Sequence, residues 1–204
     1  MKTLLLTEGD VRQLLTMDEV IKVVEEAFRE KGLGRVQMPP KLYLFYQKYD
    51  GDLRAMPSYL EELDISAVKV VNVHPKNRAR YGLPTVMAVI ILVDPRSGAP
   101  IAIMGGTHIT SMRTGAAGAI AAKYLARRDA RVVGLVGAGT QARTQLIALL
   151  TLYGRFKEVR VWSPPDGTKE AFVAEMKPKY GELTEIFAVE SVQEAVEGAD
   201  IVVT

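Results

Sequence analysis

The chain contains no cysteine. That excludes a disulfide framework, a thiolate metal centre and a cysteine nucleophile. Histidine is nearly as scarce. His74 and His108 are the only two in 204 residues, too few for a histidine-rich metal site. Neither charge sign dominates: 26 Lys and Arg face 24 Asp and Glu, a net charge of +2, with no basic cluster to hold a nucleic acid. Arg127, Arg128 and Arg131 follow a predicted helix end, where the helix dipole already accounts for cations. Long apolar runs are absent too. Leu4-Leu5-Leu6 gives way at once to Thr7-Glu8-Gly9-Asp10, which is too short for a signal peptide, and nothing approaches a membrane span. The expectation is a cytoplasmic protein with no metal, membrane or nucleic-acid partner. The 48% hydrophobic content is enough to fill one large core or two small ones.

The most informative stretch runs from Val132 to Ala142. Val132-Val133-Gly134-Leu135-Val136 reads as a buried strand, followed by Gly137-Ala138-Gly139-Thr140-Gln141-Ala142 and then helical apolar spacing to Leu152. This is the pattern of a pyrophosphate site. Gly137 permits the tight turn, and Gly139 keeps no side chain between phosphate and backbone. Ala142 stands where a third glycine is often replaced, and the free N–H groups of the helix start face the anion. A purely structural glycine turn is the alternative.

Around this stretch the chain has three textures. Thr16-Met17-Asp18-Glu19 carries a capping box, Val20, Val23, Val24, Ala27 and Phe28 recur at helical spacing, and Gly32 and Gly34 end that helix. Strands are expected at 42–46, 53–59, 67–73, 85–93 and 101–104, with turns at Asp50-Gly51 and Asp94-Pro95. A helix rich in glycine and alanine is predicted over 110–128, its small residues admitting another backbone closely. From 130 onward strands at 132–137, 158–163, 184–189 and 201–204 alternate with helices near 140–153, 168–180 and 191–198. The predicted fold class is α/β: an α+β substrate and dimerisation domain over 1–129, with 110–128 as its junction helix, then the first half of a Rossmann doubly wound parallel sheet over 130–204. Because the last residues read as the inside of a fourth strand, a longer protein is expected.

Three cations attract a chemical reading. Lys69 lies in the apolar strand Ala67-Val68-Lys69-Val70-Val71, where desolvation would suit a proton donor or acceptor. Arg113, placed in the first turn of the predicted 110–128 helix, opposes the dipole and so reads as held for an anion, a carboxylate above all. Arg54 lies in Gly51-Asp52-Leu53-Arg54-Ala55-Met56-Pro57. An ordinary surface or ion-paired cation is the alternative for each. His74 before Pro75 and Asp94 before Pro95 read as turn formers.

Taken in order, Met38-Pro39, Gly51 to Tyr59, Lys69-Val70-Val71-Asn72 with His74-Pro75 and Asn77, Gly82 to Val86, Met112 to Ala117 and Gly134 to Ala142 resemble the ornithine cyclodeaminase/mu-crystallin family. The resemblance runs from about residue 36 to the C-terminus and is strongest to its archaeal alanine dehydrogenase branch. It implies hydride transfer between NAD or NADP and the α-carbon of a small amino acid or its imine, as in alanine to pyruvate plus ammonia, by a homodimer. Arg54, Lys69 and Arg113 then match positions that hold the substrate carboxylate or serve the chemistry, and Lys69 is the catalytic candidate. Thr85 matches a threonine near the substrate or nicotinamide, and Gly137, Ala138, Gly139, Thr140, Gln141 and Ala142 match the pyrophosphate turn. Family enzymes also use an aspartate beyond the last residue here, so no turnover is expected of these 204 residues alone. Cyclodeaminases in the family carry an acid two residues before Met-Pro; Arg54 stands there and would repel a second ammonium, which favours a monoamino acid over ornithine. Ser163 ends the second Rossmann strand where NAD-preferring domains place an acid, which leans the cofactor toward NADP(H) with NAD(H) open. Ornithine cyclodeamination and a non-catalytic, mu-crystallin-like binder are the alternative functions.

Overall fold

The computed structural model describes residues 2–204. In chain order the elements are β1 (Leu4–Leu6), α1 (Glu8–Leu14), α2 (Met17–Gly32), β2 (Val36–Gln37), β3 (Leu42–Tyr46), β4 (Gly51–Leu60), β5 (Ile65–Val73), α3 (Asn77–Tyr81), β6 (Val86–Val93), β7 (Pro100–Gly105) and α4 (Thr107–Leu125). Then come β8 (Val132–Val136), α5 (Thr140–Tyr153), β9 (Glu158–Trp162), α6 (Thr168–Tyr180), β10 (Glu185–Ala188), α7 (Val192–Val196) and β11 (Ile201–Val203). Packing divides them into two compact units. One takes the chain up to Leu15 with Glu26–Thr110, the other Thr16–Glu25 with Ser111–Thr204. The division therefore falls inside α4 rather than at the expected 129/130.

The first unit is built on a mixed sheet of order β1-β7-β6-β5-β4-β2, with β3 also on β4; only the β1–β7 pair is parallel. β3 pairs residues 51–55 of β4 and β2 pairs 59–60. Pro57 thus falls where that edge of β4 has no partner, the setting in which a strand tolerates a missing N–H. Residues directly opposite across an antiparallel ladder share a face. Arg54 pairs with Val71, Met56 with Lys69, and Lys69 with Ile90. Arg54 and Lys69 therefore project from one face of the sheet.

Glu8 fixes the start of α4. Its carboxylate accepts from the N–H of Thr107 at 2.6 Å and of His108 at 3.1 Å, satisfying donors that have no helical partner. The Asp94 turn behaves as expected: its carboxylate accepts from Arg96 N–H and Ser97 Oγ–H, and Gly98 takes φ +71°.

The second unit is an α/β domain with the parallel strand order β10-β9-β8-β11, the opening half of a doubly wound sheet. Its core is largely apolar: Val133, Leu135, Leu146, Val159, Val161, Phe172 and Ile186 are fully buried. Strands sandwiched between helices need apolar residues on both faces, which the near-continuous VVGLV of β8 supplies. The glycines of α4 serve the close approach that the sequence suggested. A Cβ on Gly115 would meet the Thr144 carbonyl group of α5, and one on Gly118 the side chain of Gln145.

Candidate functional site

On the sheet of the first unit, Arg54 is already engaged. Its Nε and Nη2 donate to the two oxygens of Asp52 at 2.7 and 2.8 Å. Its guanidinium lies 5.3 Å from the centre of the Tyr43 ring, which stacks on Phe45 at 5.6 Å. The hydrogen bonds from Arg54 hold the Asp52 carboxyl below its usual pKa against a smaller opposing effect of burial, and those to Asp52 raise that of Arg54. The pair is therefore ionised and close to neutral as a unit. This corrects the argument against ornithine: a second substrate ammonium would meet a compensated guanidinium, and the expected repulsion is largely cancelled.

Lys69 lies diagonally across the β4–β5 ladder from Arg54, within reach of long side chains. Thr85, exposed just before β6, accepts at its carbonyl from the N–H of His74 at 2.8 Å. His74 stacks on Tyr46 at 5.8 Å, and its carbonyl accepts from Asn77 N–H, so it shapes the turn as expected. A cleft of about 440 Å³ lined by Asn72, His74, Arg80, Tyr81 and Met87 opens beside this turn. Asn72 and Met87 pair across β5 and β6, on the face opposite Arg54 and Lys69, so the cleft is not part of their cluster.

In the second unit the glycine turn has the geometry that the sequence called for. Gly137 adopts φ +119°, a conformation that favours glycine, and its N–H donates to the Trp162 carbonyl at 2.7 Å. Gly139 caps α5, and a Cβ there would meet nothing within 4 Å. Thr140 and Gln141 are exposed, whereas Ala138 and Ala142 are buried. The first-turn N–H groups of α5 thus open onto free space, and the absent Cβ leaves room for an anion at the backbone. The turn fits a pyrophosphate.

Arg143 belongs to this turn and was missed in the sequence. Its Nη1 donates to the carbonyls of Ala138 (2.5 Å) and Gly139 (3.1 Å), its Nε donates to Glu175 of α6 at 2.6 Å, and its guanidinium lies over the Phe172 ring at 5.0 Å. An arginine in the first turn of a helix, against the dipole, was the available signal.

Two expectations change here. Ser163 is buried, with its hydroxyl 2.7 Å from Thr168 Oγ1 and 3.2 Å from the Pro164 carbonyl, so it is not turned outward to meet a ribose. Arg113 is not in the first turn of its helix. α4 starts at Thr107, which places Arg113 nearly two turns in, and the dipole argument lapses. A different reason replaces it. The Arg113 side chain reaches solvent, yet the protein atoms around its guanidinium remove enough water to push its pKa below the ordinary arginine value. Among the described residues no carboxylate pairs with it.

Among the described residues no cluster of three or more histidine or acidic side chains could hold a metal, and no helix is long and apolar enough to cross a membrane. A model of the ornithine cyclodeaminase/mu-crystallin family matches residues 1–204. The chain is 49% identical over 174 residues to an alanine dehydrogenase of Archaeoglobus fulgidus, covering 85% of this chain and 52% of that one. Among solved structures, the Δ1-pyrroline-2-carboxylate reductase of Thermococcus litoralis, in complex with NADH and L-proline, superposes with a TM-score of 0.92. It is 44% identical, over 98% of this chain and 61% of that one. An archaeal alanine dehydrogenase dimer with bound NAD gives a TM-score of 0.87 at 45% identity, over 96% and 58% of the two chains. The chain thus spans between about half and three-fifths of the length of these relatives.

Proposed function

Since this chain belongs to the ornithine cyclodeaminase/mu-crystallin family, we propose that it forms part of an NAD-dependent enzyme that interconverts a small 2-amino acid and its imine. The observation that carries this reading is the open glycine turn of Gly137 and Gly139 at the head of α5, in a β10-β9-β8-β11 parallel sheet. Its exposed N–H groups would hold the pyrophosphate, and the bound dinucleotide would supply or accept the hydride. Arg113, without a carboxylate of its own, is suited to bind the substrate carboxylate. In the first unit, Arg54 is likewise suited to a carboxylate, and Lys69 Nζ to giving a proton to an imine nitrogen as the carbon receives hydride, or taking it back in the reverse direction.

NAD(H) is favoured over NADP(H). The loop after β9 offers the carboxylate of Asp166, which bonds Thr168, and its neighbouring cations are engaged. Arg160 binds Glu158 and the carbonyls of Glu194 and Glu197, and the buried Lys169 binds the Val189 carbonyl and Glu190. Among the described residues no unengaged cation stands there to grip a 2′-phosphate. A homodimer is proposed on the sheet face opposite Arg54, where Leu42, Leu44 and Val89 stand exposed.

The test follows cofactor absorbance in the complete enzyme. NADH oxidation by pyruvate with ammonia, or by Δ1-pyrroline-2-carboxylate, is expected, together with a native mass of two chains. Ammonia release from ornithine with no net change in absorbance would replace this reading by the cyclodeaminase. That second reading stands because Asp52 neutralises Arg54. Dinucleotide binding without turnover of any of these substrates would leave a non-catalytic binder.

A further inference from the structure

The Asp52–Arg54 contact has a geometry that stability does not account for. The two residues lie two apart on one strand, so their ion pair ties together nothing that the backbone does not already join. A half-exposed pair of this kind contributes little to folding. Its effect is instead on the guanidinium plane. Asp52 takes the Nε edge side-on through both oxygens, at 2.7 and 2.8 Å. The guanidinium carbon lies over the ring of Tyr43, directly opposite Arg54 in the β3–β4 ladder, at 5.3 Å, and Phe45, opposite Asp52, stacks on Tyr43. One edge of the guanidinium is thereby fixed, and the group is held against the Tyr43 ring. The other edge, formed by Nη1 and the second Nη2 hydrogen, makes no hydrogen bond among the described residues. That end also presents two parallel N–H groups, a second fork that matches a carboxylate.

We propose that Asp52 is a positioning residue that holds Arg54 so that its free Nη edge faces the substrate carboxylate. The inference rests on the amino-acid or imine substrate proposed above. It also gives that site its selectivity. Because Asp52 compensates the charge, Arg54 recognises a carboxylate by the spacing of two N–H groups rather than by net attraction, and anions without that planar pair of oxygens gain little. Asp52 is not expected to touch the reacting atoms.

The experiment compares Asp52→Ala, Asp52→Asn and Arg54→Lys, and Asp52→Ala in the Arg54→Lys background, in the complete enzyme with its dinucleotide bound. The readouts are the calorimetric Kd for pyruvate and the steady-state KM and kcat for pyruvate and for NADH. Asp52→Ala should raise Kd and KM for pyruvate about tenfold, as expected when an ordered two-bond contact must be re-formed on binding, with kcat within about twofold and the KM for NADH unchanged. Asp52→Asn, whose amide oxygen still accepts one bond, should fall between. Lysine cannot make the side-on pair, so adding Asp52→Ala to Arg54→Lys should change nothing further. Pyruvate affinity unaffected by Asp52→Ala, or an equal effect in both backgrounds, overturns the proposal. So does a protein that does not bind pyruvate at all. If pyruvate binds and weakens as expected while nothing turns over, the positioning role stands and the dehydrogenase reading fails.

Discussion

Replacing Gly115 with alanine should destabilise the second unit, whereas the same change at Gly118 should not. Both glycines lie inside α4, where alanine is intrinsically favoured by about 1 kcal/mol. The difference lies in what the new methyl group meets. At Gly115 it would sit 2.6 Å from the carbonyl carbon of Thr144, with the oxygen closer still. Ordinary contact begins near 3.4 Å, so helix α5 would have to give by about 0.8 Å along its backbone. Overpacking of this sort costs roughly 1–3 kcal/mol, more when the neighbour cannot rotate away. After the propensity gain, a net loss of up to about 2 kcal/mol is expected, or up to roughly 8 °C in Tm for a chain of this size. At Gly118 the methyl would meet the amide of Gln145, the far end of a flexible side chain that can swing aside. Stability there should stay within about 0.5 kcal/mol or rise. Urea unfolding of the two variants, read by far-ultraviolet circular dichroism with matched m-values, checks the contrast. If Gly115→Ala is as stable as Gly118→Ala, close backbone approach is not why α4 is rich in glycine.

Two further outcomes follow from single contacts. Glu8→Ala should cost about 1 kcal/mol at pH 7 through loss of the cap on Thr107 and His108. Burial would raise the Glu8 pKa, but hydrogen bonds from those two N–H groups and from Thr107 outweigh it, and the folded value is lowered. A carboxyl more acidic in the folded state stabilises above its unfolded pKa and loses that contribution as pH falls through the folded one. The gap between wild type and Glu8→Ala should therefore close as urea unfolding is repeated from pH 7 down into the range below about 4. Arg143→Ala should weaken NADH binding by roughly tenfold or more, since charge-assisted bonds to the Ala138 and Gly139 carbonyls hold the turn. Fluorescence titration with NADH against adenosine separates the causes: adenosine, which has no pyrophosphate, should bind both proteins alike.

The second unit was legible almost to the residue because its signals are local and redundant. Each strand is a short apolar run, each helix has period-3.6 spacing, and each junction carries glycine, proline or a capping serine, such as Ser191 before α7. β1 and β2 were not legible: three and two residues long, they are strands only because β7 and β4 offer edges to pair with. The start of α4 was misjudged by three residues for a similar reason. Its cap is not in the preceding sequence but on Glu8, about a hundred residues earlier. Among the site residues, Gly137 could be read because its φ of +119° restricts the choice of residue there, and Gly139 because it stands at the head of α5 in the same motif. Arg143 and Ser163 could not be placed by type alone, since their roles depend on Glu175 and Thr168.

The two arginines singled out in the sequence show the same limit in their electrostatics. By residue type Arg54 and Arg113 are equivalent anion readers. Arg54 spends its charge on Asp52, two residues earlier on the same strand, and retains only the direction of its free edge. Arg113 has no such carboxylate, and its charge is uncompensated among the described residues. A guanidinium that has already neutralised itself is a weak argument against a second positive charge on the substrate. The choice between alanine-like and ornithine-like substrates therefore shifts from the charge of Arg54 to the space and polarity around its free edge.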